Sequence, residues 1–186
     1  MVVIENMPPP PPPARPALVA VAPAGAGHPD VVAESFALRA IANMGSQYEV
    51  SVPERIPPHC IHSSAGTYQL NPLLILAILK VESNGRTGIV SRNTNNTDDL
   101  GPSQFNTQSW AKVLIEKYKI PREALINDMC QAVRALGFAL RTEINGAGGN
   151  LWKGVGNYHS RTPKHHNKYI NLVYGAYKQM TTKGKF

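Results

Sequence analysis

Asn71-Pro72-Leu73-Leu74-Ile75-Leu76-Ala77-Ile78-Leu79-Lys80-Val81-Glu82-Ser83-Asn84-Gly85 carries both the start and the stop of a helix. Asn71 can act as N-cap, Pro72 fits a first turn that needs no N–H from it, and Asn84-Gly85 is a C-terminal stop. Leu73 to Leu79 is an unbroken apolar run, and a helix apolar all round belongs inside a core. Glu82 therefore leaves a buried helix in its last turn. Partial desolvation and the negative end of the helix dipole both disfavour its ionised form, which raises its pKa. A carboxylic acid that keeps its proton near neutral pH is what general acid catalysis of glycosidic cleavage requires. The helix by itself is also open to a blander reading, a solvated glutamate at a helix end.

With 186 residues the chain can build one well-cored domain plus a tail. No stretch approaches the roughly 18 uninterrupted apolar residues of a membrane span. Residues 1–55 hold three basic and five acidic side chains, residues 56–186 sixteen and seven, so the second part carries +9. A basic globular part suits an anionic polymer: nucleic acid, a lipid surface or a carboxylate-bearing cell wall. No helix pattern shows a dense Lys/Arg stripe with interleaved aromatics, which sets nucleic acid aside.

Residues 1–50 read as a separate proline-rich tail. Pro8 to Pro13 is an unbroken proline run, which favours an extended polyproline II segment that packs little. A short helix over Asp30 to Met44 would put Val32, Phe36 and Ala40 on one face. The beginning is not a convincing secretory signal, since it has no basic n-region, Glu5 is acidic, and prolines precede the apolar Ala17 to Ala22.

From Pro57 onward the pattern is a succession of helices, with a domain expected over residues 51–182. Pro58 to Tyr68 carries Cys60, Ile61, Ala65 and Tyr68 at helical spacing, and the helix quoted above follows. Thr87 to Asn106 is too polar for a helix and too long for a simple turn, and can hold a small hairpin. Trp110, Val113, Leu114 and Tyr118 mark another helix, stopped before Pro121. After a short turn, a longer one runs from an Asn127 cap to Ile144, with Asn145-Gly146 as its stop. Leu151, Trp152 and Val155 suggest a short helix. Lys164 to Thr182 closes the chain with an apolar stripe of Tyr169, Leu172, Val173, Ala176, Tyr177 and Met180. The fold class is mainly α with one polar loop region.

Cys60 and Cys130 leave three readings open: two buried thiols, a disulfide closing a loop of about 70 residues, or, with His59 and His62, a zinc site. Zinc is the weakest, because no second ligand pair stands at structural-site spacing.

Several motifs in order resemble the lysozyme-like lytic transglycosylases, closest to the small ones that accompany type IV secretion, conjugation and pilus machines. They are Cys60 with Tyr68-Gln69-Leu70-Asn71-Pro72, then Lys80 to Gly85, Arg92 to Thr97, and Asp99-Leu100-Gly101-Pro102-Ser103-Gln104-Phe105-Asn106. Cys130 and Asn157-Tyr158-His159-Ser160-Arg161-Thr162-Pro163 complete the series, which covers roughly residues 57 to 178. The resemblance implies a helical lysozyme-like fold with Glu82 as sole catalytic acid/base, acting on peptidoglycan strands. It implies a periplasmic or exported protein, and a Cys60–Cys130 disulfide at the family's paired positions. It also implies substrate contacts from Ser83, Ser103, Gln104, Asn157, Tyr158 and His159, with Tyr158 facing the glutamate. Pro102-Ser103 replaces the family's commoner Leu-Met between the glycine and glutamine, which alters the neighbouring subsite. No cofactor and no metal are expected. The tail is expected to serve as a tether or as a docking segment for apparatus proteins, and the domain as a monomer.

Each residue also has a chemical reading of its own. A serine hydroxyl beside Glu82 can orient the acid. The Gln104 amide can donate and accept at once, matching the acetamido and hydroxyl groups of amino sugars. His159 can be a base or metal ligand, but a lone histidine is more often a hydrogen-bonded structural residue. A hydrolytic glycosidase ordinarily needs two carboxyls. From Ile56 onward, Glu116, Glu123, Asp128 and Glu143 fall on helices or caps with surface spacing, which leaves Asp98 and Asp99 as candidates to face Glu82. The family route needs neither, so conversion of either to asparagine is expected to be mild by comparison with Glu82→Gln. A non-catalytic glycan-binding subunit and a hydrolytic muramidase using Asp98 or Asp99 remain the alternatives.

Overall fold

The computed structural model describes residues 50–186. The proline run and the expected helix over Asp30 to Met44 lie outside the described residues. Helix α1 (Pro58–Tyr68) turns Cys60, Ile61, Ala65 and Tyr68 inward and ends at Gln69, which adopts a left-handed φ of 51°. Helix α2 (Pro72–Ser83) starts where the Leu73 N–H donates to Asn71 Oδ1 at 2.8 Å, and stops at Asn84 with φ 55°. Leu73 through Leu79 are all buried, so this helix runs through the core as its apolar run requires.

The polar stretch after α2 forms a small antiparallel sheet, β1 (Val90–Arg92), β2 (Asp98–Leu100) and β3 (Phe105–Asn106), in that order. Leu100 pairs with Val90 and Phe105, and Asp99 with Ser91 and Asn106. Successive strand side chains point to opposite faces. Leu100 and Phe105 thus enter the core, and Asp99 and Asn106 share the other face. Between β2 and β3 the chain turns over Gly101 to Gln104, both at left-handed φ (65° and 48°), closed by the Gln104 N–H donating to the Gly101 carbonyl at 3.2 Å.

Four more helices precede the last: α3 (Trp110–Glu116), α4 (Arg122–Asn127), α5 (Met129–Gly146) and α6 (Leu151–His159). Two expectations need correction here. The stretch after Pro121 is a helix rather than a turn, and Asn127 ends it. The cap of α5 is Asp128, whose Oδ1 accepts from the Gln131 N–H at 3.0 Å; its carboxylate reaches the free donors that Asn127, one residue earlier, cannot. Helix α5 is buried along most of its length and packs against α1 and α6. Gly137 permits the close approach to α1, because a Cβ there would come within 2.2 Å of the Ser64 hydroxyl.

Helix α7 (Pro163–Lys183) packs on α2 and α6. Tyr169, Val173, Tyr177 and Met180 are buried, whereas Leu172 is exposed. The stripe is narrower than the apolar residues suggest, because the helix lies against two neighbours and Leu172 faces away from both. The backbone of Ser51 bonds to Gly184 and Phe186, and Ile56 is wholly buried. The architecture is a lysozyme-like helical domain with a small sheet on one side. Among the described residues, no helix is long and apolar enough to cross a membrane.

Cys60 and Cys130 form a disulfide between the first turns of α1 and α5, which resolves the three readings of the cysteines. Closing a loop across a sequence separation of 70 stabilises by roughly 4 kcal/mol on the chain-entropy account. Protein made in an oxidising compartment and unfolded without reductant is expected to show no titratable thiol. Cys60→Ser is expected to lower the urea midpoint by an amount equivalent to about 2–4 kcal/mol. Two free thiols in such protein would refute the bridge.

Candidate active site

Glu82 sits in the last turn of α2, where the buried helix meets a cavity of about 590 Å³. This volume lies within the range usual for small-molecule and sugar-sized sites. The helical wall presents Glu82, Tyr158, His159 and His165; the sheet wall presents Asn93, Thr97, Asp99, Gln104 and Asn106. Trp110 also lines the cavity. Two secondary-structure types thus face each other across the acid.

Burial pushes the pKa of Glu82 up to about 8; a hydrogen bond from Tyr169 opposes the rise, and the charge of Asp99 adds to it. The direction and its main cause, desolvation, follow from the last turn of a buried helix, whereas the other two contributors come from residues distant in sequence. Tyr169 donates its hydroxyl to Glu82 Oε1 at 2.5 Å from helix α7, across a sequence separation of 87. Nothing in the sequence marks this tyrosine as more than part of an apolar stripe. Only the packing of α7 on α2 reveals it. The phenols of Tyr158 and Tyr169 are held well above the ordinary tyrosine range, first by burial and then by the charge of Glu82, so both stay neutral donors.

Tyr169→Phe is expected to cut turnover about tenfold, the worth of one charge-assisted hydrogen bond. The missing donor no longer stabilises the carboxylate, so Glu82 stays protonated to higher pH. The alkaline limb of the pH–rate profile should therefore move up. A limb that stays put or moves down would show that Tyr169 does not act on Glu82.

The other expected site residues divide sharply. Gln104 and His159 line the cavity. The Gln104 amide nitrogen donates to the Gly101 carbonyl at 2.7 Å and to the Asp99 carbonyl at 3.4 Å, which leaves its Oε1 oxygen as the group available to a ligand. The His159 ring stacks on Tyr169, with centroids 4.5 Å apart and planes within 6°. Burial lowers its pKa; Asp99 opposes and His165 reinforces that shift. A neutral imidazole can donate to and accept from sugar hydroxyls.

Tyr158 lines the cavity with its ring, but its hydroxyl donates to the Ser103 carbonyl at 2.9 Å rather than to Glu82. The tyrosine bonded to the acid is Tyr169. Ser83 and Ser103, expected to touch substrate, are both buried, and their hydroxyls bond within the protein. The Ser83 hydroxyl donates to the Pro102 carbonyl at 2.8 Å instead of orienting Glu82. The Ser103 hydroxyl donates to the Ala132 carbonyl at 3.1 Å. Together with Tyr158 they clasp the Gly101–Gln104 turn from three helices. Asn157 does not line the cavity. Pro102 and Ser103 do not line it either, so the departure from Leu-Met lies behind the wall, not on it.

Asp98 and Asp99 are adjacent in sequence but point to opposite faces of β2. Asp98 pairs with Arg92 at 2.9 Å and lies 3.7 Å from Arg122. Asp99 faces the cavity. Glu143, read from its spacing as a surface acid, is instead buried, with Arg161 donating to its Oε2 at 2.7 Å. It sits where α5 turns toward α6, which helical spacing alone does not reveal.

A half-buried glutamate whose pKa is raised to about 8, facing a polar cavity in a lysozyme-like fold, is an arrangement suited to acid-catalysed glycan cleavage. Residues 59–180, about two thirds of the chain, match the family described as the Transglycosylase SLT domain. The chain belongs to this family, one of lytic transglycosylases, lyases that act on the peptidoglycan of the cell wall. Comparison with curated proteins finds no match.

Proposed function

We propose that this protein cleaves the β-1,4 bond between N-acetylmuramic acid and N-acetylglucosamine and leaves a 1,6-anhydromuramic end. The observation that carries the reading is Glu82, held near pKa 8 at the boundary between core and cavity. One residue must first give a proton and then take one, and a pKa close to the working pH serves both. Protonated Glu82 donates to the glycosidic oxygen as the C1–O bond breaks. As carboxylate it then accepts the proton of the muramic acid 6-hydroxyl, whose oxygen closes onto C1. Tyr169 holds the carboxyl group throughout, and Gln104 and His159 supply hydrogen bonds to the sugars.

Digesting purified peptidoglycan and identifying the sugar termini by mass spectrometry tests the reaction. Anhydro ends support it. Reducing ends would favour the hydrolytic muramidase, and binding without turnover would favour a glycan-binding subunit. The feature that most favoured a non-catalytic subunit, Pro102-Ser103, lies away from the cavity, which supports the catalytic reading.

The domain over residues 51–182 works outside the cytoplasm, in the periplasm or exported, and opens the wall locally for a secretion, conjugation or pilus apparatus. A cell-wall substrate and a disulfide both favour an oxidising compartment. The proline-rich tail over residues 1–50 acts as tether or docking segment. Limited proteolysis is expected to cut before residue 50 and leave a fragment with full cleavage activity, since among the described residues Val50 and Val52 already pack against the core. An inactive fragment would show that the tail packs on the domain.

A further inference from the structure

Asp99 is held by two side-chain amides. The Asn93 amide nitrogen donates to Asp99 Oδ2 at 2.9 Å and to the Thr97 hydroxyl at 3.1 Å. The Asn106 amide nitrogen donates to Asp99 Oδ1 at 2.8 Å and to the same Thr97 hydroxyl at 2.8 Å. Thr97 passes its own proton to Asn95 Oδ1 at 2.7 Å. Each amide thus spends one N–H on Asp99 and one on Thr97, which fixes both amides and leaves the carboxylate oxygens a lone pair each for the cavity. A preorganised charge of this kind does not reorganise as a reaction proceeds, the condition under which electrostatic stabilisation is strongest. Nothing in the single-acid route accounts for it.

We propose that Asp99 is a second functional carboxylate of this site: it supplies, from the sheet wall, the negative charge that balances the positive charge developing on the muramic acid ring. The inference rests on the transglycosylase reading above and adds a role to it. When the C1–O bond breaks, its electron pair leaves with the glycosidic oxygen, which takes the proton of Glu82. The positive charge left on C1 and the ring oxygen lies between ionised Glu82 and Asp99. The 6-hydroxyl oxygen then bonds to C1, its proton goes to Glu82, and both carboxyl groups return to their starting states. Asp98, turned to the other face of the strand and paired with arginine, has no part in this.

Asp99→Asn in the full chain, with Asp98→Asn as control, tests the assignment. Turnover of Asp99→Asn is expected to fall about 10²-fold, the usual size of losing one preorganised electrostatic partner, with Asp98→Asn within about twofold of wild type. A readout that mere structural damage leaves untouched is the alkaline limb of the pH–rate profile. The groups facing Glu82 are Tyr169 from α7, Tyr158 and His159 from α6, and Asp99 from β2, with His165 on the same cavity. Both phenols are neutral at working pH, so loss of the Asp99 charge should move the limb to lower pH.

An asparagine at 99 turns one N–H toward an amide donor and can disturb the sheet. Asn106 stands opposite Asp99 in the ladder. The swap Asp99→Asn with Asn106→Asp therefore restores an amide–carboxylate pair on the same rung while moving the charge by one strand. It is expected to fold and still turn over at least about tenfold more slowly than wild type. Recovery to wild-type rate, or an Asp99→Asn enzyme as fast as Asp98→Asn with an unmoved limb, would overturn the role of Asp99 while anhydro products still upheld the reaction. Wild-type protein that yields no cleavage or only reducing ends would defeat the transglycosylase reading itself, and this role with it.

Discussion

Glu82→Gln is expected to lower peptidoglycan cleavage by at least about 10³-fold while leaving the fold intact. Glutamine keeps the shape of the side chain and a hydrogen-bond acceptor for Tyr169, but it can neither donate the proton nor accept it back. Both halves of the reaction are lost with one atom pair. Retention of more than a few per cent of the rate would show that another group supplies the proton.

The same substitution is expected to stabilise the protein in base. Folded Glu82 binds its proton more tightly (pKa about 8) than its ordinary value of 4.5 implies. Its contribution to stability is therefore fully present below the ordinary value and is lost as pH rises through about 8. Glutamine carries no such penalty. Melting at about pH 9 should favour the variant by on the order of 1–2 kcal/mol, with no advantage near pH 4. Equal melting at both pH values would mean that the acid is ionised without cost, and the proton-holding role would fall.

Gly101→Ala is expected to be the most damaging single methyl added to the domain. Gly101 holds φ +65°, where an L side chain is strained by about 1–2 kcal/mol. An added Cβ would come within 1.9 Å of the Leu125 carbonyl oxygen and 2.9 Å of the Ile126 Cα, both backbone atoms of α4. Neither can rotate aside, so the sheet must lift from the helix. The total cost is expected to reach at least about 3–4 kcal/mol, a large part of the 5–15 kcal/mol that holds an ordinary domain together. Urea unfolding measures it. A loss below about 1 kcal/mol would show that the turn and α4 are not in such contact. Because Gln104 and Asp99 flank this turn, any variant that folds should also cleave poorly.

The sequence by itself determined the helical core and its acid. An apolar run capped by Asn71-Pro72 and stopped by Asn84-Gly85 has one favourable fate, burial, and Glu82 inherits desolvation from its position in the last turn. Local chemistry suffices for such a conclusion, because caps and apolar spacing act within a few residues. The division of Asp98 from Asp99 was also within reach, since strand alternation separates adjacent residues, but only once the polar stretch is known to be a strand.

What the tertiary structure alone decided is who meets Glu82. Tyr169 and Tyr158 look alike in a pattern of apolar residues, yet one bonds the acid and the other clasps a turn. Ser83 is next to Glu82 in sequence, but consecutive helical residues do not face each other, and its hydroxyl turns instead to Pro102. The amide clamp on Asp99 joins side chains from separate strands and their turns, held together by ladder register rather than by proximity along the chain. Periodicity reports which face a residue occupies. Which partner waits on that face depends on how helices and strands far apart in sequence pack together, and here that packing assembled the site.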